Sequence, residues 1–195
     1  MKRRLIGKIA GYITYSATTI NKTYGDSKFT NFISIVGDGV ITYSSNNTTV
    51  ATVDLNTGEV TIVKPGVATI TASISDSTYY SYETKNITYI LNIAKAQGNV
   101  SQPPVSATIP YTGSAQNLVT AGSGTGAMYY KLNNGGWSTN IPTAINHDTY
   151  TVYYKAEEND YYTESSVGSL QVTIPQNTPD YVAPTAKTLV YNSED

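Results

Sequence analysis

His147 and Asp148 stand side by side in a chain rich in serine, and nucleophilic catalysis would have to be built from them. A Ser-His-Asp arrangement also needs a strained nucleophile turn and donors for the oxyanion, and no segment has that form. One His and no Cys in 195 residues exclude sites that need two histidines, a thiol nucleophile or cysteine-bound zinc. Glu157, Glu158, Asp160 and Glu164 could pair for glycoside cleavage or gather round calcium. They share a loop with Asn159 and lack a glycine at a calcium-loop position, so a solvated acidic loop is expected. Asp54-Leu55-Asn56-Thr57-Gly58 opens like a calcium loop, lacks the distal glutamate, and reads as a hairpin turn. The expectation is a protein without catalytic residues, metal site or cofactor.

Two further groups suit contact rather than chemistry. Tyr79 and Tyr80 cluster with Tyr82, and Tyr161 adjoins Tyr162. Exposed tyrosine offers rigid area with a polar handle, so Tyr79, Tyr80, Tyr161 and Tyr162 are candidates for contact with a glycan or protein. Tyr89, Tyr150 and Tyr154 sit on apolar faces and are assigned to cores, where they do the work of the scarce Phe. Trp137 is expected to plug a core. At the N-terminus, Lys2, Arg3, Arg4 and Lys8 stand beside Leu5, Ile6 and Ile9. That mixture predicts a docking arm: cations for registration on an acidic partner, apolar residues for burial, with strand addition as one mode. The competing reading is that Ile6 and Ile9 start the first strand. Four cations without interleaved aromatics do not make a nucleic-acid footprint.

The elements that must position these groups are strands. Charged residues make up only 13% of the chain, Tyr numbers 18 and Thr 29, a balance that favours pleated surfaces over helix interiors. Gly66–Ser75 alternates, with Ala68, Ile70, Ala72 and Ile74 on one face, and Ile87, Tyr89, Leu91 and Ile93 form a second such face. With Ile13–Ile20, Phe29–Val36, Val40–Ser44, Val50–Asp54 and Glu59–Val63, about seven strands fill roughly 80 residues, as in an immunoglobulin-like sandwich. Lys95 to Pro104 is polar and ends in two prolines, which predicts a linker. Beyond it, Asn133-Asn134-Gly135-Gly136 marks a hairpin, and Leu170, Val172 and Ile174 make the last strand. Pro184, Thr188, Leu189 and Tyr191 echo Pro104, Thr108, Ile109 and Tyr111 at an offset of 80, as though a third module begins. The expected fold is all-β: an arm over 1–12, an Ig-like module over 13–94, a linker over 95–104, a second Ig-like module over 105–175, and a tail or repeat fragment over 176–195.

Ile41–Asn46, Val50–Asp54, Gly58–Thr61 and Gly66–Ala72 have the order and spacing of the bacterial immunoglobulin-like group 2 family, which the first module resembles. The second module resembles another tandem repeat of bacterial surface proteins, through Tyr111–Gln116 and Asn146–Val152. It departs from that pattern at His147 and Asp148, where the family commonly has Ala and Gly. These resemblances imply surface display and carry no shared catalytic residues. The apolar stretch after the basic start is broken by Lys8, so no secretory signal is expected, nor is any apolar run long enough for a spanning helix. Together these point to a non-enzymatic bacteriophage virion protein, an accessory capsid (decoration) protein or head fibre. Its expected partners are capsid proteins, host-surface glycans and further copies of itself. The alternative is a bacterial cell-surface adhesin or stalk fragment; a glycan-active enzyme would need a catalytic domain past Asp195.

Overall fold

A computed structural model describes residues 7–177 and 182–187, and every regular element in them is a strand. The first module contains β1 (Ile9–Tyr15), β2 (Thr19–Thr23), β3 (Ile33–Val36), β4 (Ile41–Ser45) and β5 (Ala51–Val53). It continues through β6 (Val60–Ile62), β7 (Gly66–Ile74), β8 (Tyr80–Tyr82) and β9 (Asn86–Ala94). One sheet has the order β2-β9-β7-β4, with β2 parallel to β9, and the other has the order β3-β1-β8. β5 and β6 form a separate hairpin.

Alternation along β7 and β9 sets the core. Ala68, Ile70, Ala72, Leu91 and Ile93 are buried together with Tyr89, Tyr15, Val50, Ala51 and Val60, while Ile87 packs half-buried beside them. Ile74 lies on the same face but joins a smaller cluster with Ile13 and Tyr82. The expected strand over Ile13–Ile20 is broken at Ser16–Thr18, because the chain crosses from one sheet to the other there. The crossing is pinned by Asn31, which is 4% exposed. Ser16 Oγ donates to Asn31 Oδ1 (2.7 Å), and Asn31 Nδ2 donates to the Ala17 carbonyl (2.8 Å). A buried amide with its polar atoms engaged fixes the switch where a strand ladder cannot.

The hairpin expected at Asp54–Gly58 forms. Asp54 Oδ1 accepts from the Asn56 and Thr57 amides (3.0 and 2.8 Å) and from Thr57 Oγ1 (2.9 Å). Those bonds hold the carboxyl below its usual range, and Gly58 takes the positive φ of 72° that closes the turn.

The second module contains β10 (Val100–Gln102), β11 (Gln116–Asn117), β12 (Ser123–Gly124) and β13 (Met128–Leu132). β14 (Thr143–Ala144), β15 (Asp148–Ala156) and β16 (Gly168–Ile174) complete it. Its main sheet has the order β13-β15-β16, flanked by the pairs β10-β12 and β11-β14. Ile109, Leu118, Val119, Tyr130, Val152, Val172 and Ile174 form the core.

Two boundaries move, and one core assignment changes. Ile9 is the first residue of β1 and pairs with Tyr80, so the module reaches back into the segment expected to be a free arm. The proposed linker is structured: Ala96 bridges Tyr162 in parallel, and Val100–Gln102 pairs with Ser123–Gly124. Its prolines follow that strand instead of interrupting it. Trp137 is not a core plug; Lys131 and Lys155 place their ammonium groups 5.4 and 5.1 Å from its ring centre. The echo at Thr188–Tyr191 lies outside the described residues.

Candidate functional site

The most organised cluster of side chains lies where the two modules meet. It is built on the turn between β15 and β16. Asn159 Oδ1 accepts from the amides of both Tyr161 and Tyr162 (2.9 Å each), and the Asn159 amide donates to the Tyr162 carbonyl (3.0 Å). A short amide side chain mimicking a backbone turn in this way holds the two rings in fixed directions. Asn159 is itself anchored through Nδ2 to the Thr125 carbonyl (2.7 Å).

The first module supplies Tyr24, just past β2, where Gly25 turns the chain with φ 93°. The Tyr24 amide donates to the Ala94 carbonyl (2.9 Å), which carries the β2–β9 ladder one residue further. Its ring meets Tyr161 at 4.9 Å and stands edge-on to Tyr162 at 5.6 Å. Such aromatic contacts contribute beyond the area they bury. Beside them Lys64 bonds Asp160 (2.7 Å), which keeps that carboxyl ionised to lower pH than usual and the amine charged to higher pH. Lys95 reaches Glu158 at 3.5 Å. Below the rings the Ala96 amide donates to Tyr161 O (3.0 Å), and Thr163 N donates back to Ala96 O (2.9 Å). Gly98 completes the approach, since a Cβ there would run into the Thr163 carbonyl.

The acidic loop is therefore not a set of free carboxylates. Glu157 and Glu164 both engage Lys155, whose amine is held charged by them, and Glu158 and Asp160 engage Lys95 and Lys64. Among the described residues no three His, Asp or Glu side chains gather as a metal site. His147 is exposed before β15, and Asp148 accepts from the Thr149 amide (2.7 Å).

The contact tyrosines divide differently from expectation. Tyr161 and Tyr162 face Tyr24 of their own chain, with Tyr162 half-buried. Tyr79 is exposed, and Tyr80 is half-buried within β8. Tyr89 is buried as expected, whereas Tyr150 and Tyr154 are only half-buried, as Tyr80 and Tyr162 are. Of the arm, Lys8 is exposed and Ile9 belongs to β1; Lys2, Arg3, Arg4, Leu5 and Ile6 lie outside the described residues. Sequence reasoning missed the junction. The signal was present as a paired pattern, Ser77-Thr78-Tyr79-Tyr80 against Asn159-Asp160-Tyr161-Tyr162.

A family model described as bacterial Ig-like domain (group 2) matches residues 32–79, enclosing the segments Ile41–Ala72. No curated protein matches the chain. Among solved structures, human protocadherin-24 EC1-2 is similar at 13% identity and a TM-score of 0.36, over 85% of this chain and 99% of that one. Fibronectin(III)-like modules of Clostridium thermocellum CbhA are similar at 9% identity and a TM-score of 0.33, over 88% and 100%. The chain is thus an all-β protein of Ig-like β-sandwich type, with a bacterial Ig-like (group 2) segment at the centre of its first module.

Proposed function

We propose that this chain is a non-enzymatic architectural protein, a stiff pair of Ig-like modules that spaces and displays surfaces outside the cell. The observation that carries this reading is the junction. A tandem pair joined by a flexible linker has few contacts across it. Here two rings close on Tyr24, two lysines pair with acids of the β15–β16 turn, and the connecting segment is hydrogen-bonded through Ala96. Ig-like modules serve many functions by what they present rather than by a shared reaction centre.

The setting we assign is the surface of a bacteriophage virion, as a capsid decoration or head-fibre protein, with Lys2, Arg3, Arg4, Leu5 and Ile6 docking to shell proteins. Its support is the bacterial Ig-like segment and the concentration of cations at one end of an otherwise acidic chain. Contact with host glycans would fall to exposed tyrosine. Mass spectrometry of purified virions from the source phage tests the setting. Recovery of the chain at fixed stoichiometry with the major capsid protein is expected; recovery only from bacterial surface-shaved peptides would replace the virion with a cell-surface adhesin or stalk.

A further inference from the structure

We infer that the pole of the first module formed by Lys8, Ile9, Tyr79 and Tyr80 is a second junction surface, which receives the Tyr111 end of a second copy of this chain. This inference rests on the internal junction and not on the virion setting.

The pole repeats the turn and the parallel pairing of the receiving half of the internal junction. Tyr79 and Tyr80 both donate their amides to Ser77 Oγ (3.3 and 3.0 Å), and Ser77 N donates to Tyr80 O (3.0 Å). Those are the bonds that Asn159 makes with Tyr161 and Tyr162. The Ile9 amide donates to Tyr79 O (2.7 Å) and Ile9 pairs in parallel with Tyr80, as Ala96 does with Tyr161 and Tyr162. Lys8-Ile9-Ala10-Gly11 then matches Lys95-Ala96-Gln97-Gly98. Both glycines lie where a Cβ would collide with the neighbouring segment, at 2.5 Å from the Tyr82 ring for Gly11. Asp76, the residue before Ser77, pairs with Lys85 (3.1 Å), as Glu158, the residue before Asn159, pairs with Lys95.

The cover differs. Tyr161 lies under Tyr24 and is 38% exposed, whereas Tyr79 is 67% exposed beside a cleft of about 260 Å³ lined by Gly7, Lys8, Ile9 and Thr78.

The chain also carries a donor of similar composition, with the tyrosine two residues after the core isoleucine instead of four. In the first module Thr19-Ile20 leads to Tyr24 and the positive-φ Gly25, and Ile20 packs on the core. In the second, Thr108-Ile109 leads to Tyr111 and Gly113 with φ 74°, and Ile109 is part of the core. Tyr111 is 39% exposed, next to an apolar groove of about 610 Å³ lined by Ala107, Ile109, Pro110 and Pro175. One receiving end and one donating end, at opposite modules, make a head-to-tail contact that extends into chains of copies rather than a closed two-fold dimer. Where Lys64 holds Asp160, the copies would set Asn146, two residues before β15, against Thr78. A neutral pair there makes the contact tolerant of salt.

The chain has no cysteine, so crosslinking tests this cleanly. Thr78→Cys protein is mixed with affinity-tagged Asn146→Cys protein and oxidised, with Thr57→Cys as an exposed control partner; all three positions are exposed, and Tyr79 and Tyr111 stay in place. The Thr78–Asn146 heterodimer is expected in excess over both homodimers and over either pairing with the control, at low and high salt alike. A heterodimer no more abundant than the control pairings overturns the inference. Sedimentation velocity of the unmodified chain gives the second readout: a sedimentation coefficient that rises with concentration and stops rising in Tyr79→Ala is expected, and one independent of concentration overturns it. Either failure leaves the stiff-pair reading intact, since Tyr24 and the β15–β16 turn are untouched.

Discussion

Tyr15 and Tyr89 meet edge to face, ring centres 4.8 Å apart, inside the core of the first module. Both hydroxyls are buried without a hydrogen-bond partner among the described residues. The rings fill space that Phe would fill, and the oxygens bring a desolvation cost with no return bond. Tyr15→Phe and Tyr89→Phe should each raise stability, by about 1 kcal/mol. Urea unfolding of the two variants checks this, and a loss of stability would mean that the hydroxyls are hydrogen-bonded in solution.

The same pair sets an alkaline limit. Burial pushes the Tyr89 phenol up to about 12, and raises Tyr15 with the added repulsion of Tyr89 and Tyr43. In the unfolded chain these groups ionise near pH 10 while the fold keeps them neutral. The stabilisation is therefore complete below pH 10 and is lost as pH rises from 10 toward 12, at about 1.4 kcal/mol per pH unit for each tyrosine. Denaturation midpoints between pH 9 and 12 should fall, and Tyr89→Phe should shallow that fall.

Ile70 is 1% exposed at the middle of β7, and Ile70→Ala should cost roughly 2–5 kcal/mol. Thermal or denaturant unfolding reads this directly, and a near-neutral result would place the side chain outside the core.

Asn31→Ala removes both hydrogen bonds at the sheet crossing and leaves the Ala17 carbonyl short of its donor. A loss of about 1–3 kcal/mol is expected. Hydrogen exchange should show the effect first at Ser16–Thr18.

Tyr24→Ala should loosen the junction without unfolding either module. Small-angle scattering should report a broader distribution of shapes, while circular dichroism stays unchanged. By contrast, His147→Ala should alter neither, because that side chain is exposed ahead of β15.

Alternation made β7 and β9 legible from sequence, because each buries every second residue against one continuous core. β8 was not legible. Tyr80-Ser81-Tyr82 is three residues long and owes its pairing to Ile9–Gly11, some 70 positions away. The same distance hid the junction: nothing local to Tyr161 and Tyr162 distinguishes a ring facing solvent from one facing Tyr24. Trp137 misled for a related reason, since its aromatic bulk suggested burial while Lys131 and Lys155 hold it at the margin.

The parallel ladder from Thr19–Ile90 to Thr23–Ala94 joins a strand near the entry of the first module to the strand by which the chain leaves it. Tension between the ends of that module pulls these strands past one another, so its bonds are loaded in shear and must yield together. The second module has no such ladder between residues 105–111 and β16 among the described residues. Pro110 and Pro175 lack the amide protons with which to build one. A stretched chain should therefore extend its second module first, at lower force, and lengthen there while the first module stays closed.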